Sequence, residues 1–252
     1  RNADANAPIL RIGMLICTVI MNLKTFEIVF DNYVLQGDTY EQGCGTLVLH
    51  GAGKSSRTRF SRMRKSLNDQ GITSAGFDFI GHGKTGGEIL GTNLHGRTKQ
   101  ASAVIRHTCI EPLTLIAASM SAYTAIKLTE IFSVNNLILL VPAVYTPSAY
   151  NINFGPEFSA AIRIPNNWQD SDAFNILENF KGNLLVIAAQ HDNVIPIKVI
   201  EKIHESARHA KTNLLHIVPD SAHLSLFPKL QDFHMALNMI IKICRGGRDN
   251  KG

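Results

Sequence analysis

The stretch LTLIAASMSAYTAIKLTEIF (residues 113–132) passes from an apolar run through small residues into a helical pattern. Residues 113–118 predict a strand that is buried on both faces, and residues 121–132 predict a helix. Two serines, Ser119 and Ser121, lie at the junction. A serine in this position is either the cap of the helix or a nucleophile on a sharp strand-to-helix turn. Other parts of the sequence bear on this choice.

Strand and helix patterns alternate along most of the chain. Short apolar runs that suit buried strands recur at 46–50, 71–79, 136–144, 183–189 and 213–219. Helical patterns lie between or after them at 56–69, 98–109, 197–208 and 227–244. Residues 25–30 and 33–40 predict an antiparallel pair of strands near the start. We therefore predict an α/β fold, in which helices cover both faces of a mostly parallel sheet of about eight strands.

The composition fits one globular domain with a large core. Of the 252 residues, 45% are hydrophobic and 18% are charged, which excludes a disordered chain. The formal net charge is +5, and six basic residues crowd into one segment: Lys54, Arg57, Arg59, Arg62, Arg64 and Lys65. A basic run can bind nucleic acid, but Phe60, Met63 and Leu67 recur among these charges at helical spacing. We interpret the segment as a surface helix with a solvated basic face, and we expect no nucleic-acid partner.

The cysteines indicate the cellular compartment, and the chain ends indicate the limits of the folded domain. Cys17, Cys44, Cys109 and Cys244 form no CxxC pair, so the pattern favours neither a disulfide framework nor a zinc site. We interpret them as reduced thiols of a cytoplasmic protein. The apolar segment 9–21 is too short to span a bilayer. We expect residues 1–23 to be a leader or an expression-derived segment, residues 24–245 to be the folded domain, and residues 246–252 to be a tail.

One segment, residues 145–181, interrupts the alternation of strands and helices. Long insertions between core strands are functional or disordered, and the aromatic residues of this one argue against disorder. We predict that the segment forms a small cap over a site. Its large apolar side chains either contact a substrate or pack the cap onto the core: Tyr145, Tyr150, Phe154, Phe158, Ile162, Ile164 and Trp168. Arg163 either meets a substrate carboxylate or faces solvent.

The size of the flanking residues distinguishes the two serines. A nucleophile on a strand-to-helix turn brings the residues two before and two after it close together, so both must be small. The flanks of Ser119 are Ala117 and Ser121, which are both small. One flank of Ser121 is Tyr123, which is too bulky. The sequence therefore favours Ser119 as the nucleophile, in the pattern A-x-S-x-S.

A glycine-containing loop supplies candidate donors for an oxyanion. The sequence HGAG at 50–53 directly follows a predicted buried strand. An acyl-transfer site needs backbone N–H groups aimed at the negative charge that develops on the carbonyl oxygen. We predict that Ala52 provides one of these N–H groups and that Met120, which opens the helix after Ser119, provides the other. The alternative for residues 50–53 is a plain glycine turn.

An acid and a base follow two later strands. Asp192 lies three residues after the strand at 183–189, and His223 lies in the loop after the last predicted strand. The chain order Ser119, Asp192, His223 is the one expected for a triad at the carboxyl edge of a parallel sheet. All three residues fall at strand ends, where such folds place their sites. A solvated loop carboxylate remains the alternative interpretation of Asp192 taken alone.

Two short motifs raise the question of nucleotide binding. The segments GAGKSS (51–56) and GHGKT (81–85) both contain Gly-Lys-Ser/Thr. A phosphate-binding loop of the form G-x-x-x-x-G-K-[ST] requires a glycine five positions before the second glycine. The residues at those positions are Val48 and Asp78. The sequence therefore does not support a nucleotide-binding loop.

These motifs together resemble the α/β-hydrolase family, especially its small-capped esterases and its monoglyceride-lipase-like and serine-aminopeptidase-like members. The resemblance covers about residues 24–245, and its carriers are HGAG (50–53), DFIGHGKTGG (78–87), AASMSA (117–122), QHDNVIP (190–196) and DSAH (220–223). The family pattern implies that GHGKT shapes the site without being catalytic. The sequence IAASMSA is also similar to the elbow of bacterial fatty-acyl thioesterases of the bioluminescence type. Ala117, Ser121 and Ala189 stand where the family often has glycine.

The residues and the resemblance together predict a serine hydrolase. We expect it to cleave small-to-medium carboxylic esters with a catalytic triad of Ser119, His223 and Asp192, through an acyl-enzyme. A thioesterase or acyltransferase would use the same triad, and a non-catalytic binding protein on a hydrolase scaffold is a further alternative. The expected partner is a small-molecule acyl ester. The sequence implies no metal or organic cofactor and does not indicate an oligomeric state.

Overall fold

The computed structural model describes residues 23–246, and it contains one eight-stranded sheet. The predicted leader (residues 1–23) and the predicted tail (residues 246–252) lie outside these residues, apart from Leu23 and Gly246. The strands are β1 (Lys24–Phe30), β2 (Tyr33–Thr39), β3 (Cys44–Leu49), β4 (Ser74–Phe77), β5 (Cys109–Ala118), β6 (Val134–Leu140), β7 (Asn183–Ala189) and β8 (Thr212–Val218). The helices are α1 (Ser61–Asn68), α2 (Leu94–Thr108), α3 (Ser121–Leu128), α4 (Pro156–Ile162), α5 (Ala173–Asn179), α6 (Ile197–Ser206) and α7 (Leu230–Cys244).

The strand order places the middle of the chain at the middle of the sheet. The order is β1-β2-β4-β3-β5-β6-β7-β8. Strands β1 and β2 pair antiparallel, β2 pairs antiparallel with β4, and every later pairing is parallel. Because each parallel connection crosses over through a helix, the carboxyl ends of β3 to β8 lie along one edge of the sheet. The predicted fold class is confirmed.

Both faces of the central strand β5 are covered. Leu113, Leu115 and Ala117 pack on one face with α2, α3 and α6, while Ile116 and Ala118 pack on the other face with α1 and α7. Alternate residues of a strand point to opposite faces, so a strand buried on both sides must be apolar at nearly every position. This requirement explains why the run from 113 to 118 has no polar face.

Two predicted elements end four residues earlier in the structure than the sequence suggested. Strand β6 stops at Leu140 rather than at 144, because Val141 adopts a φ of 42° and leaves the extended conformation. Its N–H still donates to the Ile187 carbonyl at 2.7 Å. Helix α3 ends at Leu128 rather than at 132, and residues 129–132 form turns. Residues 141–144 stay apolar, and Ile131 and Phe132 continue the helical spacing past Leu128, so the hydrophobic pattern alone could not locate these ends.

The insertion at 145–181 contains α4, α5 and two short 3₁₀ turns, Pro147–Asn151 and Asn167–Asp170. Its aromatic rings contact each other and the core: Tyr145 packs against Phe158 and Tyr123, and Phe154 packs against Phe158. Phe154 and Phe158 are buried. Arg163 is exposed. These contacts account for the aromatic side chains by packing, and a role of the segment as a cap over a site stays a prediction.

The basic segment 54–65 is only partly a solvated surface, which corrects the sequence-based expectation. Arg57 and Arg64 are buried, and both bind Asp38 of β2. The Nε of Arg57 lies 2.6 Å from Asp38 Oδ2, and its Nη1 pairs with Asp78. Arg64 also donates to the carbonyl oxygens of Asp38 and Ser74 at 2.9 Å. Buried guanidinium groups require such partners, because an unpaired buried charge is strongly destabilising.

We expect Asp38→Asn to lower the free energy of unfolding by about 3–5 kcal/mol, because it leaves two buried arginines with one carboxylate between them. Urea unfolding followed by circular dichroism measures this loss. The matched control is Asp69→Asn, which removes an exposed carboxylate that pairs with Lys65 at 2.8 Å. The control should unfold at the wild-type midpoint. Equal midpoints for both variants would contradict the assigned role of Asp38.

No helix within residues 23–246 combines the length and the hydrophobicity needed to cross a lipid bilayer.

Candidate active site

Three strand ends bring Ser119, Asp192 and His223 together. Ser119 directly follows β5, Asp192 follows β7 and His223 follows β8. The Ser119 Oγ lies 3.0 Å from His223 Nε2, and His223 Nδ1 lies 2.8 Å from Asp192 Oδ2. Residues 104 and 31 positions apart in the chain are thus joined in one hydrogen-bonded series. The side chains of Asp192 and His223 are only 6% and 7% exposed, so water competes little for their hydrogen bond.

The backbone at Ser119 has the strained conformation expected of a sharp strand-to-helix turn. Its φ is 51°, a region that non-glycine residues rarely occupy. The Ser119 N–H donates to the Leu140 carbonyl at 2.9 Å, and the Ser119 carbonyl accepts from Ala122 and Ala143. Three backbone hydrogen bonds therefore hold the turn in place. A Cβ added at Gly51 would lie 3.3 Å from the Ser119 Cβ, so a larger residue there would crowd the turn.

Ser121, the other serine at this junction, has a different environment. Its side chain is fully buried, and its Oγ donates to the His50 carbonyl at 2.5 Å. The same Oγ accepts from Arg97 Nη2 at 2.8 Å. Ser121 therefore ties α3 to the loop that follows β3.

The hydrogen bonds around Asp192 set the orientation of its carboxylate and the tautomer of His223. Asp192 Oδ1 accepts from the N–H groups of Val194 and Ile195, both at 2.8 Å. The other oxygen, Oδ2, is left for His223 Nδ1. A carboxylate only accepts, so Nδ1 carries the proton and Nε2 is free to accept from the Ser119 hydroxyl.

Both predicted oxyanion donors belong to segments that adjoin Ser119. Ala52 lines the cavity that contains Ser119, and Met120 precedes α3 as its N-cap residue. Among the hydrogen bonds formed within residues 23–246, the backbone N–H of neither residue has a protein acceptor. Two N–H groups beside the serine are thus left to bind an oxygen atom.

Arg97 lies beneath the loop at 50–53, and sequence reasoning missed it. It is 1% exposed and binds no carboxylate in the described chain. Its Nη2 donates to the His50 carbonyl at 3.0 Å, and its guanidinium lies 3.7 Å from the centre of the Phe79 ring. Burial lowers the pKa of Arg97 to about 9, which still leaves it charged at neutral pH. No periodicity or motif marks this position, because its partners are backbone carbonyls and side chains distant in sequence.

His50 supports the same loop as a neutral imidazole. Its Nε2 accepts from the Phe79 N–H at 3.2 Å, so its Nδ1 must be the protonated nitrogen, and Nδ1 donates to the Gly51 carbonyl at 2.7 Å. Burial, followed by the nearby charge of Arg97, holds the pKa of His50 well below its usual value. The ring therefore stays neutral and structural rather than acting as a base.

The loop 78–87 packs around Asp78. The Asp78 carboxylate accepts from the N–H groups of Arg57 and Lys84, both at 2.8 Å. Gly83 has a φ of 48°, and a Cβ there would lie 2.3 Å from Asp78. The glycine and lysine of GHGKT thus fold the loop onto a carboxylate of the protein. These contacts agree with the sequence-based exclusion of a phosphate-binding loop.

A cavity of about 880 Å³ opens beside Ser119 and His223. Residues 51–63, the ends of β5 and β6, and residues 223–233 line it. Within the described part of the chain, the insertion at 145–181 contributes none of the residues that line this cavity. The space next to the serine therefore lies between α1 and the loop before α7.

Comparisons with known proteins agree with this architecture. Residues 45–167 match the family model described as serine aminopeptidase, S33. None of the curated proteins compared with the chain matches its sequence significantly.

Several solved structures share the fold at low sequence identity. The ferulic-acid-bound Est1E from Butyrivibrio proteoclasticus is 16% identical, with a TM-score of 0.66 over 87% of this chain and 99% of that one. The thioesterase domain from the curacin biosynthetic pathway is 13% identical, with a TM-score of 0.65 over 87% and 99%. Mouse alpha/beta hydrolase domain-containing protein 10 is 13% identical, with a TM-score of 0.63 over 89% and 100%. At these identities the likeness concerns the fold. The sheet topology and these structural neighbours show that the chain has the α/β-hydrolase fold, and residues 45–167 match the serine aminopeptidase family model.

Proposed function

We propose that the protein is a serine hydrolase that cleaves small-to-medium carboxylic esters. The observation that carries the proposal is the hydrogen-bonded series from Ser119 Oγ through His223 to Asp192 Oδ2, with distances of 3.0 and 2.8 Å. A nucleophile, a base within hydrogen-bond reach and a third group that orients the base are the parts that covalent acyl transfer requires. Ser119 lies on a strained turn and lines the adjacent cavity, where a substrate can reach its Oγ.

In the first half-reaction, His223 Nε2 takes the proton of Ser119 while Oγ attacks the carbonyl carbon of the ester. Asp192 stabilises the imidazolium that forms. The tetrahedral intermediate collapses, His223 returns the proton to the leaving alkoxide, and an acyl-enzyme remains. In the second half-reaction His223 deprotonates a water molecule, which attacks the acyl carbon and releases the acid and free Ser119.

The oxyanion of each tetrahedral intermediate binds the N–H groups of Ala52 and Met120. Each such donor contributes on the order of 3 kcal/mol to transition-state stabilisation in enzymes of this kind. Arg97 and His50 hold the carbonyl side of the Ala52 loop through the contacts at His50 and Gly51. They act as positioning residues, because they set the direction of the loop N–H groups without touching the substrate.

An alkyl fluorophosphonate tests this proposal without knowledge of the natural substrate. We expect stoichiometric labelling of the native protein, with tandem mass spectrometry locating the adduct on Ser119. Heat-denatured protein is the control and should not react, because an unactivated serine is a poor nucleophile. An adduct on Ser121, or no labelling of the folded protein, would refute the assignment. The second outcome would favour a binding protein on a hydrolase scaffold.

A panel of p-nitrophenyl esters of increasing acyl length, together with the corresponding thioesters, distinguishes an esterase from a thioesterase. The structural likeness to the curacin thioesterase domain keeps thioesters among the candidate substrates. Higher kcat/KM for oxygen esters at every chain length would support the proposed esterase. Because the same triad serves both reactions, the nucleophile prediction is unaffected by the result.

A further inference from the structure

The cavity beside Ser119 is lined by basic residues and by no acidic ones. Its charged lining consists of Lys54, Arg59, Arg62 and Lys229. No aspartate or glutamate belongs to the lining. The rest of the wall is largely apolar and includes Phe60, Met63, Leu226 and Phe233, all of which are buried. An apolar wall with one sign of charge at its rim suits a ligand that has an apolar part and an anionic group.

The basic segment 54–65 divides into two groups according to the cavity. The three residues outside the cavity, Arg57, Arg64 and Lys65, each pair with a carboxylate. The three that line it, Lys54, Arg59 and Arg62, have no carboxylate within 4.0 Å in residues 23–246. The protein neutralises its own cations elsewhere in this segment but not at the cavity.

Arg59 and Arg62 are held in position by contacts that leave their charge uncompensated. Arg59 Nη2 donates to the carbonyl of Leu224, the residue that follows His223, at 2.8 Å. The guanidinium of Arg62 lies 4.4 Å from the centre of the Phe233 ring. Both contacts orient the guanidinium, and neither supplies a negative charge. Lys229, in contrast, already pairs with Asp220 at 2.9 Å, so it is less available to a ligand.

An anionic ligand group would complete this arrangement. Guanidinium groups bind carboxylates and phosphates through paired, charge-assisted hydrogen bonds. Arg59 and Arg62 are three residues apart, which brings their side chains to the same side of a helical turn. The contact of Arg59 with the Leu224 carbonyl anchors its guanidinium to the residue that directly follows His223.

We propose that this active site acts on acyl substrates that carry a carboxylate or phosphate group, which Arg59 and Arg62 bind. The inference rests on the proposed function, since it assumes that Ser119 attacks an acyl carbon. Electrostatic attraction by the unpaired cations raises kcat/KM for an anionic substrate over a neutral one of the same length.

The test compares three p-nitrophenyl-type esters of matched chain length. They are neutral p-nitrophenyl hexanoate, the p-nitrophenyl monoester of adipate with its carboxylate on the acyl part, and 3-carboxy-4-nitrophenyl hexanoate with its carboxylate on the leaving group. The measured quantity is the ratio of kcat/KM for each anionic ester to that for p-nitrophenyl hexanoate, after subtraction of the uncatalysed rates. We expect one of the two ratios to exceed about ten in the wild type, a factor that corresponds to about 1.4 kcal/mol. The ester that shows this preference tells which side of the scissile bond bears the anion.

The double variant Arg59→Gln/Arg62→Gln should lower the larger ratio at least tenfold, and Arg59→Lys/Arg62→Lys should restore most of it. Lys65→Gln is the matched control, because Lys65 is an exposed cation of the same segment that lies outside the cavity and pairs with Asp69. It should leave the ratio unchanged. Added NaCl should lower the ratio in the wild type, because salt screens exposed charges.

Different results would overturn different claims. If the wild type hydrolyses p-nitrophenyl hexanoate in a Ser119-dependent manner but prefers neither anionic ester, the inference is wrong and the proposed function stands. The same conclusion follows if the Arg59→Gln/Arg62→Gln variant keeps the wild-type melting temperature and the wild-type ratio of kcat/KM values. If the wild-type protein cleaves none of the three esters faster than the Ser119→Ala variant does, the proposed ester hydrolysis is wrong. The inference about anionic substrates is then wrong as well.

Discussion

If the proposed function is right, Ser119→Ala is expected to lower kcat by about a million-fold, the loss that removal of the serine causes in serine-triad enzymes. The Oγ of Ser119 is the atom that would form the acyl-enzyme, and it lies 3.0 Å from His223 Nε2. Alanine keeps the Cβ that packs near Gly51, so the turn should survive the change. Steady-state hydrolysis of a p-nitrophenyl ester measures the loss, with the protein expressed and purified apart from any wild type.

Ser121→Ala provides a control two residues away. Its hydroxyl contacts the His50 carbonyl and Arg97 rather than His223. We expect a far smaller loss of kcat, which arises from a less firmly held oxyanion loop. Residual activity of Ser119→Ala within a hundredfold of wild type, or an equal loss in both variants, would refute the role of Ser119.

Asp192→Asn is expected to lower kcat by about ten-thousand-fold. The N–H groups of Val194 and Ile195 now donate to Asp192 Oδ1. The side-chain carbonyl oxygen of an asparagine would keep these two hydrogen bonds. Its NH₂ group would then face His223 Nδ1 and force that nitrogen to accept. His223 would carry its proton on Nε2 and could no longer take the proton of Ser119. The structure therefore predicts a wrong tautomer rather than a displaced ring.

Single-turnover ester hydrolysis measures the Asp192→Asn effect, and the imidazole NMR signals report the tautomer of His223. Asp220→Asn is the matched control, since Asp220 lies three residues before His223 but is exposed and pairs with Lys229. Asparagine tolerates the φ of 53° at this position. A loss for Asp192→Asn no greater than that of the control would argue against the assigned function of Asp192.

Much of the fold could be predicted because buried strands leave a strong local signal. The run at 113–118 must be apolar on both faces, and the small residues at 117, 119 and 121 permit a tight turn. Loops after the parallel strands then meet at one edge, so Ser119, Asp192 and His223 could be proposed as neighbours from their order alone. Their placement at three strand ends needed no information about contacts. What the order could not provide is the distance between the side chains or the tautomer of the histidine.

The charged residues were harder to predict. Helical periodicity places Arg57 and Arg64 among exposed neighbours, yet both are buried against Asp38, which lies 19 and 26 positions away. Arg97 carried no signal at all, since its partners are the His50 carbonyl, Ser121 and the Phe79 ring. A charge is stabilised by whatever lies within a few ångströms, and sequence separation does not reveal that distance.

The position of the substrate space also depended on tertiary packing. Aromatic residues at 145–181 made that insertion the obvious candidate, but their rings contact one another and Tyr123. The cavity beside Ser119 is instead walled by residues 51–63 and 223–233. The two walls meet because α1 and α7 pack on the same face of the sheet. An aromatic side chain has the same hydrophobicity whether it lines a pocket or fills a core.

The amino-acid sequence by itself determined the strands, their buried faces, the sharp turn at Ser119 and the chain order of the three candidate catalytic residues. These features depend on local periodicity, residue size and strand-end position, which can be read one segment at a time. Only the tertiary structure decided which arginines are neutralised, how Asp192 directs the proton of His223 and where the cavity opens. Those properties depend on distances between segments far apart in the chain, and the distances exist only once the sheet and its helices have packed.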